Sequence, residues 1–216
     1  MNSIDLIETN RIIFLQIVSL IFLFIISFIT IFGNYLVIIA ILKTPKLKNL
    51  SNYLILSLSV TDLTVGLLVM PNSAVIDIIY LSEWTFGAVY CDIHFIILSI
   101  CTSASSFHLV FIAIDRYLSV TQFKYSMKKK KRHIMAMIAI SWIFPLLFAL
   151  ATVFWWRDYH KFIKRIEQGI CFVSINKVRL YISIATKFYI PLVIIITLYA
   201  LIFKVVLQFD QGQFLL

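Results

Sequence analysis

A triplet of an acidic, a basic and an aromatic residue stands at the end of a long apolar segment, where Asp115, Arg116 and Tyr117 follow each other. Ionised side chains are costly inside a bilayer, so those that persist lie at its edge or carry a function. One interpretation is a latch, in which Asp115 holds Arg116 in one state and releases it to a partner in another. The other is an ordinary arginine that extends its guanidinium to the membrane interface.

A second ionisable group, Asp62, lies near the middle of another apolar run. Its carboxylate and the Ser105 hydroxyl would supply oxygen ligands for a monovalent cation such as sodium. The alternative is a protonated Asp62 that is hydrogen-bonded to Asn34 at a similar depth. Both interpretations make Asp62 a buried polar centre rather than a surface acid.

Lys187 is a third candidate, because it lies one helical turn after Ser183 and should share a face with it. If that face points inward, the ammonium would repel a cationic ligand and favour an acidic group. If it points outward, Lys187 would extend to the interface or be neutral.

The elements that must position these residues are apolar helices. The chain is 62% hydrophobic and 13% charged, against about 45–50% and about 25% for soluble domains. Five runs are long enough to cross a bilayer, which takes about 20 residues, and they cover residues 12–42, 50–79, 89–120, 133–156 and 179–208. The sequence therefore predicts an all-α membrane protein, with residues 1–216 forming one helical bundle, and excludes an ordinary soluble protein.

Charge at the ends of these runs predicts the orientation. Basic residues follow the first and third runs, at Lys43, Lys46, Lys48, Lys124, Lys128 to Lys131 and Arg132, whereas the segment after the second run has only Asp77 and Glu83. Loops rich in Lys and Arg face the cytoplasm, so we expect the N-terminus to lie outside. The segment 157–179 opposes this trend with six basic residues. Because basic residues collect at helix ends, the net charge of +9 indicates the lipid bilayer as partner rather than nucleic acid.

Prolines and cysteines add local expectations. Pro71, Pro145 and Pro191 each remove a backbone hydrogen bond, so the second, fourth and fifth helices should bend near them. Cys91 and Cys171 map to the outer side, where disulfides persist. Cys101 lies in mid-helix, where we interpret it as a small buried apolar residue.

No enzyme is expected. The sequence has no nucleophile–base pair, metal-ligand spacing or glycine-rich phosphate loop, and its histidines are scattered. His108 is best interpreted as a hydrogen-bonded contact between helices. We expect no cofactor other than a sodium ion at Asp62.

Several motifs occur together and in order along the chain. They are Gly33-Asn34, the run from Ser57 to Leu63, Cys91, Phe107-His108-Leu109, Ile112 to Tyr117, Trp142, Cys171, and Phe188 to Pro191 with Tyr199. As a set they resemble the rhodopsin-like (class A) G-protein-coupled receptors. The stretches from Asp62 to Pro71 and from Trp84 to Gly87 are most similar to biogenic-amine receptors of the dopamine, serotonin, octopamine or trace-amine type.

The resemblance implies roles for individual residues. It implies a disulfide between Cys91 and Cys171, a sodium site at Asp62 and Ser105, and structural roles for Asn34, Trp142 and Pro191. The implied switch for G-protein coupling consists of Asp115, Arg116, Tyr117 and Tyr199. The implied ligand pocket consists of Leu98, Ser99, Thr102, Ser183, Lys187 and Phe188.

Two departures from the family pattern stand out. Amine receptors carry an aspartate seven residues after the cysteine of the third helix, where it pairs with the ligand ammonium, and this position is Leu98 here. The family has seven helices, of which we find five, so we expect a chain truncated after the fifth helix.

The resemblance implies a plasma-membrane receptor that transmits the signal of a small extracellular ligand, amine-like or atypical, to a heterotrimeric G protein. The alternative is a truncated, non-signalling protein that pairs with full-length receptors in a dimer and is retained in the endoplasmic reticulum. A small channel using Asp62 and Lys187 is less favoured, since paired broken helices are absent from the sequence pattern.

Overall fold

The computed structural model describes residues 3–74, 84–122, 125, 131–155, 158–171 and 177–210, and in these ranges the chain is helical without a strand. The helices are α1 (Ser3–Lys43), α2 (Asn52–Ala74), α3 (Gly87–Thr121), α4 (Lys131–Trp155), α5 (Tyr159–Glu167) and α6, which consists of Lys177–Ile184, Ala185–Tyr189 and Ile190–Asp210. A short 3₁₀ turn, Pro45–Leu47, lies between α1 and α2.

Within the described residues, five helices are long and apolar enough to cross a membrane: α1, α2, α3, α4 and α6. The predicted class, an all-α bundle of transmembrane helices, is therefore confirmed. The spans Asn10–Lys43, Gly87–Thr121 and Leu180–Gln208 lie within two residues of the predicted runs. Some predicted positions lie outside the described residues. They are the helix ends at 79 and 156 and the residues Asp77, Glu83, Lys124 and Lys128. That residues 1–216 form one domain stays a prediction.

The third spanning helix, α3, lies at the centre of the bundle. It packs against α2, α4 and α6, whereas α1 packs against α2. Its buried side includes Ala104, His108 and Ala113, none of which has measurable exposure. Most apolar side chains of α1 and α6 are exposed, as expected for surfaces that face lipid. Polar groups that must be shielded from lipid are thus concentrated on α3 and the faces of its neighbours.

Three π-helical turns interrupt the spanning helices. Val65–Val69 precedes Pro71 on α2, and Ala185–Tyr189 precedes Pro191 on α6. A proline frees the carbonyl four residues earlier, and a π turn is one way in which a helix accommodates this change. Pro145 lies inside regular α-helix, and the irregularity of α4 comes later, at Ala151–Trp155. The irregularity of α4 therefore does not coincide with Pro145, where the sequence predicts a bend.

A close approach joins α1 to α2. The buried Ser27 hydroxyl donates a hydrogen bond of 2.7 Å to the Gly66 carbonyl oxygen. A Cβ atom at Gly66 would stand 2.9 Å from Cγ1 of Ile31, which is closer than packed carbon atoms approach. Glycine at this position therefore allows α1 to lie directly against the π turn of α2.

A short helix, α5, covers one end of α3. Asp158 caps its first turn by accepting a hydrogen bond from the backbone N–H of Lys161. Its Phe162 is buried in a cluster with Trp84 and Cys91, and the backbone N–H of Trp84 donates to the carbonyl of Gly169, just after the helix. This end of the bundle is therefore closed by packed apolar side chains.

Candidate functional site

Lys187 reaches from α6 toward α3 and α4. Its Nζ atom donates a hydrogen bond of 2.6 Å to the Ser99 hydroxyl oxygen. The same atom lies 5.2 Å from the centroid of the Phe148 ring, within the range of a cation–π interaction. Of the two orientations that the sequence left open for Lys187, the inward one is therefore observed.

The other predicted pocket residues differ in how far they are buried. Leu98 is half-buried beside Ser99, and Ser183 is half-buried one turn before Lys187. The Thr102 side chain is exposed, and its hydroxyl donates a hydrogen bond of 2.7 Å to the Leu98 carbonyl oxygen. Phe188 is 57% exposed and packs edge-on against Tyr189. In this five-helix arrangement, Ser99 and Lys187 come together and Phe188 points away from them.

Asp62 forms a polar centre between α2 and α3. The Ser105 hydroxyl donates to Oδ1 of Asp62 at 2.6 Å and lies 3.2 Å from the Thr61 hydroxyl. Asn34 does not take part, because its side-chain amide donates to the Thr30 carbonyl oxygen on its own helix. Of the two alternatives that the sequence left open for Asp62, the structure shows the contact with Ser105 and not the one with Asn34. One carboxylate and two hydroxyls form an all-oxygen donor set, which suits a hard cation.

Asp115 is buried at the far end of α3, with 1% of its surface exposed. Its Oδ1 atom accepts a hydrogen bond of 3.1 Å from the Tyr125 hydroxyl. Burial first, and then the negative charge of Asp115, raise the pKa of Tyr125 to about 12. The phenol is therefore neutral and able to donate to the carboxylate at physiological pH.

Arg116 is exposed on α3 next to this buried pair. Within the described ranges it makes no ion pair with Asp115, so the contact expected for the closed latch is absent and Tyr125 is the observed partner. Neighbours along an α-helix point about 100° apart, which explains why Asp115 is buried and Arg116 is not. Tyr199 on α6 is also exposed, at 50%, and Tyr117 is half-buried.

A node of three hydrogen-bonded side chains joins α2, α3 and α4. Nε1 of Trp142 donates a hydrogen bond of 3.0 Å to the Ser57 hydroxyl oxygen, and Nε2 of His108 lies 2.8 Å from the same oxygen. The contact of His108 with α2 is the hydrogen bond between helices that the sequence indicates. The structural role of Trp142 stays a prediction, which its bond to Ser57 supports. Ser57 was not singled out from the sequence, since serine in a membrane helix most often bonds its own backbone.

Cys91 and Cys171 form a disulfide, and Cys101 is a free, buried cysteine on α3. The pairing implied by the sequence resemblance is thus present. Beside it, a cavity of about 210 Å³ lies between α2 and α3. Asn72 and Tyr90 are among its polar lining residues, and the Tyr90 hydroxyl donates a hydrogen bond of 3.2 Å to Oδ1 of Asn72.

Comparison with known proteins identifies the family. The profile of the 7 transmembrane receptor (rhodopsin family) matches residues 33–213. The chain is 40% identical over 171 residues to the 5-hydroxytryptamine receptor 2B of Drosophila melanogaster, covering 79% of this chain and 27% of that receptor. It is 37% identical to the 5-hydroxytryptamine receptor of Lymnaea stagnalis, covering 81% and 34%. It is 34% identical to the 5-hydroxytryptamine receptor 1A-alpha of Takifugu rubripes, covering 88% and 44%.

The chain thus spans less than half the length of each of these curated relatives. The expectation of a chain that is not an enzyme agrees with these matches, since the family and the relatives are receptors. With its apolar spanning helices, the chain is a multi-pass membrane protein and belongs to the rhodopsin family of seven-transmembrane receptors, where it is similar to the amine receptors.

Proposed function

We propose that this protein is a receptor at the plasma membrane that binds a small extracellular ligand and activates a heterotrimeric G protein. The ligand would enter between α3 and α6, near Ser99 and Lys187. The G protein would dock at the other end of α3, at Asp115, Arg116 and Tyr117. These two sites lie 16 to 18 residues apart on one helix, or about 25 Å at about 1.5 Å per residue.

The observation that carries this proposal is the arrangement at Asp115 and Arg116. The carboxylate is buried against Tyr125, which leaves the adjacent guanidinium exposed at the end of the bundle. An arginine presents five N–H donors in a rigid fork, which suits capture of backbone carbonyls or a carboxylate from a docking protein. The role of Arg116 is therefore contact with the partner, while Asp115 and Tyr125 hold this end of α3 in place.

The disulfide supports the proposed orientation. Disulfides persist in oxidising compartments such as the cell exterior, and Cys91 lies in the first turns of α3. An external start of α3 places the end of α3 in the cytoplasm, together with the exposed lysines Lys43, Lys46 and Lys48 between α1 and α2. The same orientation would put the N-terminus outside, as the positive-inside rule predicts.

Nucleotide exchange on a G protein tests the proposal directly. We would express the protein from its complete natural transcript, reconstitute it in vesicles with purified heterotrimers, and measure basal exchange and exchange with 5-hydroxytryptamine, the ligand in the names of the relatives. Basal exchange above that of empty vesicles is expected, and Arg116→Ala should reduce it at least tenfold. Arg132→Ala, which removes another exposed basic residue at the same end, is the matched control and should leave exchange unchanged. Equal loss in both variants, or no exchange with any heterotrimer class, would contradict the assignment.

The second candidate function is pairing with full-length receptors without signalling. The apolar faces of α1 and α6 are largely exposed and would be available to a partner receptor. Co-purification with a co-expressed 5-hydroxytryptamine receptor, in the absence of any nucleotide exchange by this protein alone, would favour this function. Exchange without a partner receptor would exclude it as the main function.

A further inference from the structure

We infer that the place where Lys187 of α6 meets Ser99 of α3 and Phe148 of α4 binds a ligand through a carboxylate, with Lys187 as the counter-ion, rather than through an ammonium group. The inference rests on the proposed function for the identity of the site as a ligand pocket, but not on coupling to a G protein. It names a ligand class with the charge opposite to that of an amine.

The first argument is the environment of Lys187. Its Nζ atom has one hydroxyl partner, Ser99 at 2.6 Å, and one aromatic neighbour, Phe148 at 5.2 Å. In the part of the chain that the structure describes, Lys187 makes no ion pair with a carboxylate. A buried ammonium needs both hydrogen bonds and an opposite charge. The Ser99 hydroxyl and the Phe148 ring stabilise the ammonium in part. The opposite charge would come from a ligand.

The second argument is the position of the acidic residues on the surrounding helices. Residues 131–155 of α4 contain no acid. On α3, Asp92 lies seven residues before Ser99, and Asp115 lies sixteen residues after it. At about 1.5 Å per residue, these separations along the helix axis are about 10 Å and about 24 Å. On α2, Asp62 is engaged with Ser105, six residues beyond Ser99 on α3. The described acid of α6 is Asp210, at the opposite end of that helix.

The third argument is Leu98. It is half-buried next to Ser99, at the position that carries the ammonium-binding aspartate in amine receptors. An apolar side chain gives an incoming ammonium no charge-assisted hydrogen bond, and Lys187 nearby would repel it. A carboxylate in the same place would meet the ammonium of Lys187 and the Ser99 hydroxyl, while its carbon skeleton would contact Leu98 and Phe148.

The fourth argument is the charge of the segment above the pocket. Residues 157–179 contain six basic residues against two acidic ones, which opposes the positive-inside trend in a loop that should be external. The buried Phe162 fixes α5 against Trp84 and Cys91, so the exposed Lys161 and Lys164 stand at the outer end of α3. Lys161 is paired with Asp158 at 2.9 Å, so the positive charge of this surface comes from Lys164 and from the excess of basic over acidic residues in the segment. Such a basic surface raises the local concentration of anions and speeds their association. The unusual charge of this segment is explained if the ligand is anionic.

The test compares three probes that share a phenyl ring and differ in the polar group: phenylacetate, phenylacetamide and phenethylammonium. The protein is expressed at its full natural length and purified in detergent, and binding is measured as the shift of its thermal midpoint with probe concentration. Phenylacetate should stabilise the protein at concentrations at least tenfold lower than the other two. Lys187→Met should abolish this preference, whereas Lys204→Met, which removes an exposed lysine of the same helix, should keep it.

A second measurement needs no variant and remains informative if Lys187→Met fails to fold. Reductive methylation of Lys187, followed by mass spectrometry, should slow at least fivefold in the presence of phenylacetate and stay unchanged with phenylacetamide. Preferential stabilisation by phenethylammonium, or equal methylation with all three probes, would overturn the inference. So would a carboxylate effect that survives Lys187→Met and disappears in Lys161→Gln with Lys164→Gln, because the anion would then bind the loop surface. Failure of G-protein coupling with intact carboxylate binding would count against the proposed function alone.

Discussion

Nε2 of His108 lies 2.8 Å from the Ser57 hydroxyl oxygen, and this oxygen also accepts a hydrogen bond from the Trp142 indole. The Ala104 carbonyl oxygen, 2.7 Å from Nδ1 of His108, can only accept, so Nδ1 carries a proton. When His108 is neutral, its Nε2 atom accepts the hydrogen of the Ser57 hydroxyl. A relay of hydrogen-bonded side chains therefore runs from α4 through α2 to α3.

The relay predicts a strong effect of Ser57→Ala. This change removes the acceptor of Trp142 and the donor to His108, whose side chain has no exposed surface. An unsatisfied buried polar group costs about 1–3 kcal/mol, so the thermal midpoint in detergent should fall by several degrees. Ser106→Ala is the control, since the Ser106 hydroxyl bonds the Thr102 carbonyl oxygen within α3 and its loss should have little effect. Equal midpoints for both variants would show that the relay does not stabilise the bundle.

The sequence allowed prediction of the spanning helices and of two contacts between residues that are distant along the chain. These contacts are Asp62 with Ser105 and Cys91 with Cys171. Hydropathy over about 20 residues is a strong signal, and family motifs fixed the order of these positions. The sequence left alternatives open where a polar side chain could choose among several partners. In the structure, Asn34 bonds its own helix, and Asp115 bonds Tyr125 rather than its sequence neighbour.

The helix α5 was missed for another reason. It has nine residues, too few for a hydropathy window, and its basic side chains resemble those of a solvated loop. A signal was nevertheless present in the capping residue Asp158 and in the apolar residues Phe162, Ile163 and Ile166, which fall at helical spacing. The π turns had no comparable signal, because the sequence shows where a proline removes a hydrogen bond but not how the helix adjusts.

A second prediction concerns the titration of Tyr125. Its pKa is raised from 10.0 to about 12 by burial, by the charge of Asp115 and by the hydrogen bond to that carboxylate. A raised pKa in the folded state means that this contribution to stability is complete below pH 10.0 and is lost as the pH rises through about 12. Asp115→Asn should lower the pKa of Tyr125 without restoring the ordinary value, because burial remains. Tyrosinate absorbance of the protein minus that of Tyr125→Phe gives the titration curve, and an unchanged curve in Asp115→Asn would contradict the contact.

A third prediction concerns sodium at Asp62. The Asp62 carboxylate and the hydroxyls of Ser105 and Thr61 would hold the ion, with water completing its coordination. Binding to the folded state alone stabilises it by about 1.4 kcal/mol at ten times the dissociation constant. Sodium chloride should therefore raise the thermal midpoint above that in choline chloride of equal ionic strength. Asp62→Asn should remove the difference, whereas Asn34→Ala should retain it, because Asn34 points to Thr30. A sodium effect that persists in Asp62→Asn would place the ion elsewhere.

The last prediction concerns the disulfide between Cys91 and Cys171, which joins the start of α3 to the segment after α5. Loss of either sulfur breaks the same bond, so Cys91→Ser and Cys171→Ser should lower stability equally, by about 2–5 kcal/mol, and the double variant should be no worse than either. A reductant should lower the thermal midpoint of the unaltered protein to that of the variants and leave the variants unchanged. Cys101→Ala is the matched control, because Cys101 is buried and unbonded, and it should keep the response to reductant. Unequal effects of the two single variants, or an additive double variant, would mean that each cysteine stabilises the outer end of the bundle through contacts other than their shared bond.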